Sequence, residues 1–213
     1  MNNKRTIRTS SILLPFFGIV IFFLLYLVAT FYYPGGNQID KYATGFSWYQ
    51  NYWCNLLNEK AINGKPNTAK PFAMVALMVL SLSLIIFWYL FPLQVGFKKQ
   101  GRQVIQFSGV LSMLVACFIF TPLHDSIINI AGTFGMIALV GTFIGLRKLR
   151  WYKLFWIGMY CLLLIVLNNI FYYNKGLIFY LPIIQKITFL IILVWFCLIT
   201  LRLHKRAQNI SIA

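Results

Sequence analysis

The sequence predicts an all-α polytopic integral membrane protein, a bundle of six transmembrane helices with a short amphipathic interfacial helix in the first outer loop. Three observations support this fold class. Six long apolar runs divide the 213 residues; hydrophobic residues make up 60% of the chain and charged residues only 10%. A soluble domain carries roughly 25% charged residues. In addition, the acidic residues and most of the basic residues occupy different connections between the runs.

Each run is long enough for a transmembrane helix, which needs about 20 apolar residues. We predict one domain over residues 1–213, with spans near 11–33, 71–93, 104–123, 126–146, 152–173 and 179–201. The first run follows Lys4, Arg5 and Arg8, as the apolar part of a signal peptide would. It is too long for that role and ends in Phe31-Tyr32-Tyr33-Pro34 instead of a small-residue cleavage site. We interpret it as a retained span.

The basic residues predict the orientation of the chain. Thirteen of the nineteen Lys and Arg residues lie at the two termini and in the second-to-third and fourth-to-fifth connections. Asp40, Glu59 and Asp125 lie in the other connections. Because basic residues near spans are retained on the cytoplasmic side, we expect both termini in the cytoplasm. The bases lie at span ends, so membrane lipids are the expected partner of the formal charge of +16, and nucleic acid is not.

The outer connection at about 34–70 is too long to be structureless in a compact protein. Tyr-Pro-Gly-Gly at 33–36 predicts a turn that leaves the first span. Ser47 and Gln50 have the spacing of a capping box, and Asn63-Gly64 offers a left-handed stop. Between them, an apolar face and an amide face recur at helical spacing, Tyr49, Trp53, Leu56 and Leu57 on one and Asn51, Asn55 and Asn58 on the other. This pattern predicts the interfacial helix.

Small residues at four-residue spacing predict how the third and fourth spans pack. They are Ser108, Ser112 and Ala116 in the third span, and Ala131, Gly135, Gly141 and Gly145 in the fourth. Such faces let two helices approach closely in lipid. We expect these two spans to form a tight hairpin.

The tip of this hairpin holds the candidate catalytic residues, His124 and Asp125. Polar groups at membrane depth cost on the order of 3 kcal/mol, so they call for an explanation. In one interpretation His124 is a general base, paired with Asp125 or with Asp40 of the outer loop. In the other the segment is structural: Thr121 caps the fourth span, and Asp125 complements the helix dipole. The residues leave both interpretations open.

A polar cup that opens outward is the predicted ligand site. Every acid and both clusters of Asn belong to the same face of the membrane. The candidate ligand-binding residues are Asn51, Asn55, Glu59, Asn129, Asn168 and Tyr172. The alternative is that amides within spans, such as Asn168, bond a neighbouring helix.

The cysteines and the missing catalytic motifs limit which bonds and cofactors we expect in this protein. Cys117, Cys161 and Cys197 lie inside apolar runs, and Cys54 lies in a polar connection without an obvious partner, so we expect no structural disulfide. The sequence has no GxSxG, P-loop, HExxH or GxGxxG motif and only two His residues. We therefore expect no metal and no cofactor.

Several short motifs resemble a known family. They are Tyr-Pro-Gly-Gly at 33–36, Gly45-Phe46-Ser47-Trp48, the run from Asn51 to Leu57, Asn63-Gly64 with Asn67, and Pro122-x-His124. Over most of its length the chain resembles the bacterial six-span membrane proteins grouped as domain of unknown function 998. The resemblance implies a bacterial inner membrane protein and no particular activity. A more distant likeness to alkaline ceramidases fails, because the metal-binding histidines are absent.

Three functions stay open at this stage. The first is a non-enzymatic protein that binds a lipid or small ligand, or senses envelope state, through the polar cup. The second is a membrane-embedded hydrolase or transferase that acts on lipid with His124 and Asp125 or Asp40. The third is a small transporter, for which the second and sixth spans offer few polar residues.

Overall fold

The computed structural model describes residues 9–121 and 123–212, with the backbone alone at Thr9, His124, Asp125 and 210–212. The described chain contains six α-helices: α1 (Leu14–Phe31), α2 (Lys70–Val95), α3 (Lys99–Ala116), α4 (His124–Lys148), α5 (Tyr152–Tyr173) and α6 (Leu181–Ile212). Short 3₁₀ helices occur at Thr9–Leu13, Trp53–Leu57 and Ile178–Tyr180. The described residues form no strand, only two isolated β-bridges. The all-α prediction is confirmed.

Five helical segments of the described chain are long and apolar enough to cross a membrane, which indicates a multi-pass membrane protein. They are Ser10–Phe31, Lys70–Val95, Ser126–Lys148, Tyr152–Tyr173 and Ile178–Asn209. The helix α3 is not among them, because it has 18 residues and begins with the polar stretch KQGRQ. The bounds of α5 agree with the predicted span at 152–173. In contrast, α6 continues about ten residues beyond the predicted end near 201.

The helix α3 also ends earlier than the predicted span at 104–123. After Ala116 the chain continues in tight turns, in which the Phe118 N–H bonds the Val115 carbonyl at 3.0 Å and the Thr121 N–H bonds the Phe118 carbonyl at 3.0 Å. The residue before a proline is disfavoured in the helical region, and Pro122 follows Thr121 in the sequence. An apolar composition thus predicted a longer helix than the backbone forms.

Small residues bring α3 and α4 together, as predicted. The Ser112 hydroxyl donates a hydrogen bond to the Ala131 carbonyl at 2.7 Å. A Cβ added to Gly135 would lie 2.9 Å from Ser112 Oγ, and one on Gly141 would lie 2.3 Å from the Ile105 side chain. Gly145 faces α2 instead, since an added Cβ would lie 2.6 Å from the ring of Phe91.

Large aromatic side chains fill the half of the bundle that lies toward the α4–α5 turn. The Trp195 indole N–H donates to the Leu154 carbonyl at 2.7 Å, and that of Trp88 donates to the Thr142 hydroxyl at 3.3 Å. Phe196 packs edge-on against Trp88, with ring centroids 5.5 Å apart. All five residues are buried. This half of the bundle is therefore densely packed.

The two ends of the bundle differ in charge. One end, here the loop end, carries the α1–α2 loop with Asp40 and Glu59, together with the α3–α4 and α5–α6 connections. The other, the basic end, carries the α2–α3 and α4–α5 connections and the last turns of α6. Its described basic residues are Lys98, Lys99, Arg102, Arg147, Lys148, Arg150, Lys153, Arg202, Lys205 and Arg206. Lys4, Arg5 and Arg8 lie outside the described residues.

The α1–α2 loop is ordered, but its helix differs from the predicted one. A 3₁₀ helix of five residues, Trp53–Leu57, replaces the amphipathic helix expected after Ser47. Asn51 closes a turn over Ser47, because its Oδ1 accepts the Ser47 N–H at 2.8 Å. The glycines of the predicted turn adopt positive φ, 129° at Gly35 and 81° at Gly36.

Candidate functional site

Two residues of the amide stripe, Asn51 and Asn55, hold the α1–α2 loop together from inside. Asn51 is fully buried, and its Nδ2 donates to the Gly36 carbonyl at 2.8 Å. Asn55 is also buried, and its Oδ1 accepts the N–H of Tyr52 at 2.7 Å. Both polar atoms of the Asn51 side chain and the Oδ1 of Asn55 are thus engaged within the loop. The stripe was predicted to lie on one helical face, whereas the structure buries Asn51 and Asn55 and leaves Asn58 exposed.

A third amide, which sequence reasoning did not single out as a site residue, organises the end of the loop. Asn67 Nδ2 lies within hydrogen-bond distance of the carbonyls of Asn58 at 2.8 Å, Asn55 at 3.0 Å and Leu56 at 3.3 Å. Its own N–H donates to the Glu59 carbonyl at 3.0 Å. One side chain therefore satisfies the C-terminal end of the 3₁₀ helix, whose carbonyls would otherwise lack donors.

Lys186 fastens this loop to α6. The ammonium group is buried and donates to the carbonyls of Asn51 at 2.5 Å and Pro182 at 2.8 Å. It also lies 5.7 Å from the centroid of the Phe46 ring. A buried cation needs partners that compensate for lost hydration, and here carbonyl dipoles and an aromatic face supply them.

Trp53 makes a second attachment between the loop and the helices. Its ring lies 5.1 Å from that of Tyr26 on α1 and 5.2 Å from that of Phe189 on α6, measured between centroids. Its backbone N–H donates to Gln185 Oε1 at 3.4 Å. The loop therefore packs onto α1 and α6 and covers their ends.

Between the loop and the hairpin tip lies a half-open cleft of about 180 Å³. It is lined by Cys54, Leu57 and Asn58 of the loop and by Ile119, Phe120 and Thr121 after α3. The Thr121 hydroxyl is buried and has no hydrogen-bond partner among the described residues. The cleft thus combines an apolar wall with polar groups.

Cys54 contributes a thiol to the lining of this cleft. Burial raises its pKa above the usual value, and the nearby Lys186 ammonium opposes this shift only in part. At neutral pH the thiol is therefore protonated, and a protonated thiol is a poor nucleophile. The arrangement is typical of a packing or contact residue and not of an activated cysteine.

The two described acids at the loop end lie apart from this cleft's lining. Asp40 is exposed, and its Oδ1 accepts the Tyr42 N–H at 2.8 Å within a turn. Glu59 forms an ion pair with Lys70, and its side chain is 82% exposed. Lys70 also lies 5.8 Å from the ring centroid of Phe120, so this pair borders the hairpin tip. An exposed ion pair of this kind contributes little to stability.

The remaining predicted ligand-binding residues do not share one cavity. Asn168 Nδ2 donates to the Thr188 hydroxyl at 2.6 Å and joins α5 to α6, as the alternative interpretation expects. Asn129 is exposed on α4, and Tyr172 is 58% exposed near the end of α5. None of the six lines the cleft at Cys54. Their role in ligand binding stays a prediction.

The side chains of His124 and Asp125 lie outside the described residues, so the acid–base pair stays a prediction. Their backbones form the first turn of α4 at the loop end. Among the described residues, no group of three or more His, Cys, Asp and Glu side chains could hold a metal ion.

Sequence reasoning did not single out Lys186, Asn67 or Cys54 as site residues. One signal was present: Lys186 is a single charge within an apolar run. An ionisable residue inside a span indicates an internal partner.

No protein-family model, curated protein or solved structure matches this chain.

Proposed function

We propose that this chain is a non-enzymatic bacterial inner membrane protein that binds one end of a lipid, or a small amphiphile, at the loop end. In this proposal the chain crosses the membrane six times, with both termini in the cytoplasm, and belongs to the family that its motifs resemble. The α1–α2 loop then lies outside the cytoplasm and borders the outer leaflet.

The cleft at Cys54 carries the proposal. Its volume of about 180 Å³ is below the roughly 300–1,000 Å³ typical of whole-ligand pockets, so it suits part of a molecule. Leu57, Ile119 and Phe120 offer an apolar wall for a hydrocarbon segment. The buried Thr121 hydroxyl supplies a donor for a polar group, and a buried polar group without a partner is costly.

Binding is better supported than transport or catalysis. A transport path needs polar groups along its length, whereas Trp88, Trp195 and Phe196 fill the half of the bundle toward the basic end. Catalysis needs an activated nucleophile or base, and burial keeps the Cys54 thiol of the cleft protonated. The base predicted at His124, with Asp125 or Asp40, stays a prediction.

The test is to identify the molecules that the protein retains from native membranes. Thr121→Val removes the unpartnered hydroxyl at constant volume, and Asn58→Trp places a large side chain at the rim of the cleft. We expect both variants to lose a lipid or amphiphile that mass spectrometry finds in the wild-type protein. Thr133→Val is the control, because its hydroxyl bonds its own helix at Asn129. An unchanged set of bound molecules in both cleft variants would refute the proposal.

A further inference from the structure

The corner where α4, α5 and α6 meet at the basic end brings cations from three segments together. The guanidinium of Arg202, on α6, lies 5.0 Å from the ring centroid of Trp151. That of Arg147, on α4, lies 5.8 Å from the ring of Phe155. Trp151 and Phe155 are one helical turn apart, and the Phe155 N–H bonds the Trp151 carbonyl at 3.0 Å. Two guanidinium groups therefore lie beside the first turn of α5.

A third cation occupies a backbone position that favours glycine. Arg150 has φ of 57°, the left-handed region, and is the only described residue other than glycine with positive φ. Its N–H bonds the Arg147 carbonyl at 2.9 Å, and the Trp151 N–H bonds the Leu146 carbonyl at 2.9 Å. These bonds close the end of α4, where glycine is the usual residue because it has no Cβ. The chain has a charged side chain here despite that preference.

Among the described side chains, no carboxylate lies at this corner. Asp40 and Glu59 lie in the α1–α2 loop, at the other end of the bundle. Asp125 is in the first turn of α4 and Arg147 in its last, which separates them by about 33 Å along the helix axis. The surface of this corner therefore carries positive charge only. Its exposed cations are Arg147, Arg150, Lys153 and Arg202.

Lys148, a fourth cation at this end, differs because its charged group already has a hydrogen-bond partner within the protein. Its ammonium donates to the Gly96 carbonyl at 2.5 Å and lies 5.4 Å from the ring centroid of Phe97. It therefore joins α4 to the α2–α3 connection. The guanidinium groups of Arg147 and Arg202 are instead held by ring faces, which leaves their N–H edges able to donate to a ligand.

An exposed apolar stripe continues from this corner along α5. Its residues are Tyr152, Trp156, Tyr160 and Leu163, all more than half exposed. They recur every three or four residues and so lie along one side of the helix. A ligand that fits both features has an anionic head and long hydrocarbon chains.

We propose that this corner is a binding site for the phosphodiester headgroup of an anionic phospholipid, whose acyl chains lie along the stripe on α5. The site is independent of the cleft at the loop end. Arg147, Arg150 and Arg202 donate to the phosphate oxygens, and planar guanidinium groups suit that geometry. Trp151 and Phe155 position two of the three.

The experiment measures binding of phosphatidylglycerol to the full-length protein in phosphatidylcholine nanodiscs. We expect Arg150→Gly to weaken binding about fivefold, the effect of one cation near an anionic surface. Because glycine suits the left-handed position, this variant should unfold at a temperature no lower than wild type. Combined Arg147→Gln and Arg202→Gln should weaken binding about 25-fold, and Arg147→Lys with Arg202→Lys should recover part of it.

Lys98→Gln is the matched control, because it removes one exposed cation from the same end of the bundle but from the α2–α3 connection. We expect its affinity to equal that of the wild type. If Lys98→Gln weakens binding as much as Arg150→Gly does, the lipid is attracted by the overall positive charge of this end of the bundle and not by a specific site. That result would refute the proposal. Unchanged affinity in the arginine variants refutes it as well. Equal competition by soluble glycerophosphate would refute a lipid as the ligand.

Discussion

The ammonium group of Lys186 donates to the backbone carbonyl of Asn51 at 2.5 Å, across 135 residues of sequence. This hydrogen bond joins α6 to the centre of the α1–α2 loop. Asn51 in turn bonds Gly36 and Ser47, so the attachment extends through the loop. The buried cation is therefore one of two attachments, with Trp53, that hold the loop over the bundle.

Lys186→Met should loosen the loop locally. The change leaves the Asn51 carbonyl without its Lys186 donor, at about 1–3 kcal/mol, whereas the Pro182 carbonyl keeps the backbone N–H of the α6 helix. It also removes a buried charge, and the desolvation cost that this relieves partly offsets the loss. The loop attachment depends on the first effect, so we expect amide hydrogen exchange over residues 46–57 to become at least about tenfold faster. Lys175→Met, at an exposed lysine, is the control and should exchange as the wild type does. Equal exchange in both variants would contradict the role of Lys186.

The helices could largely be predicted from the sequence, because burial in lipid requires long apolar runs and leaves little choice of structure. The span at 152–173 matches α5 at both ends. The end of α3 could not be predicted from hydropathy, since the turns before Pro122 depend on backbone geometry. The residues of those turns, 117–120, are as apolar as the helix before them, so hydropathy does not separate the turns from the helix.

The loop could be predicted only in part, because its order comes from contacts between distant residues. The positive φ of Gly35 and Gly64 follows from local turn chemistry, and the sequence indicates it. The buried position of Asn51 depends instead on two residues far away in sequence: its side chain donates to the Gly36 carbonyl, and its backbone carbonyl accepts from Lys186. The amide stripe at helical spacing therefore predicted a ligand-facing surface, and nothing in its spacing indicated that Asn51 and Asn55 bond the loop itself.

Asn67→Asp should destabilise the protein although the two side chains have nearly the same shape. The aspartate loses the Nδ2 donor that three carbonyls share, and it places a negative charge against their oxygens. Removing a donor from buried acceptors costs about 1–3 kcal/mol, and a buried unpaired charge adds to that cost. We expect a lower midpoint of thermal unfolding in detergent. Asn58→Asp introduces the same charge at an exposed position and should leave the midpoint close to wild type.

Cys54 should react slowly with alkylating reagents at neutral pH. Burial raises the pKa of its thiol, so at any given pH the folded protein holds less of the reactive thiolate than a free cysteine does. Alkylation should therefore accelerate as pH rises past about 8.5, the usual thiol pKa, and should still lag behind the unfolded chain there. The measurement uses a variant in which Cys117, Cys161 and Cys197 are replaced by Ala. A rate at pH 7 equal to that of the unfolded chain would show that the thiol is not shielded.

The crossing of α3 decides between five and six spans, and labelling of single cysteines tests it. If α3 crosses the membrane, residues on either side of it lie in different compartments. Leu123 is 67% exposed at the loop end, and Lys98 is exposed at the basic end. In a variant that lacks the four native cysteines, we expect an impermeant maleimide to label Leu123→Cys in intact cells, and Lys98→Cys only after permeabilisation. Two further variants serve as references for the orientation. Tyr42→Cys, in the α1–α2 loop, should be labelled in intact cells as Leu123→Cys is. Lys205→Cys, on α6, should be labelled only after permeabilisation, as Lys98→Cys is. Labelling of Leu123→Cys and Lys98→Cys from the same side would show that α3 does not cross.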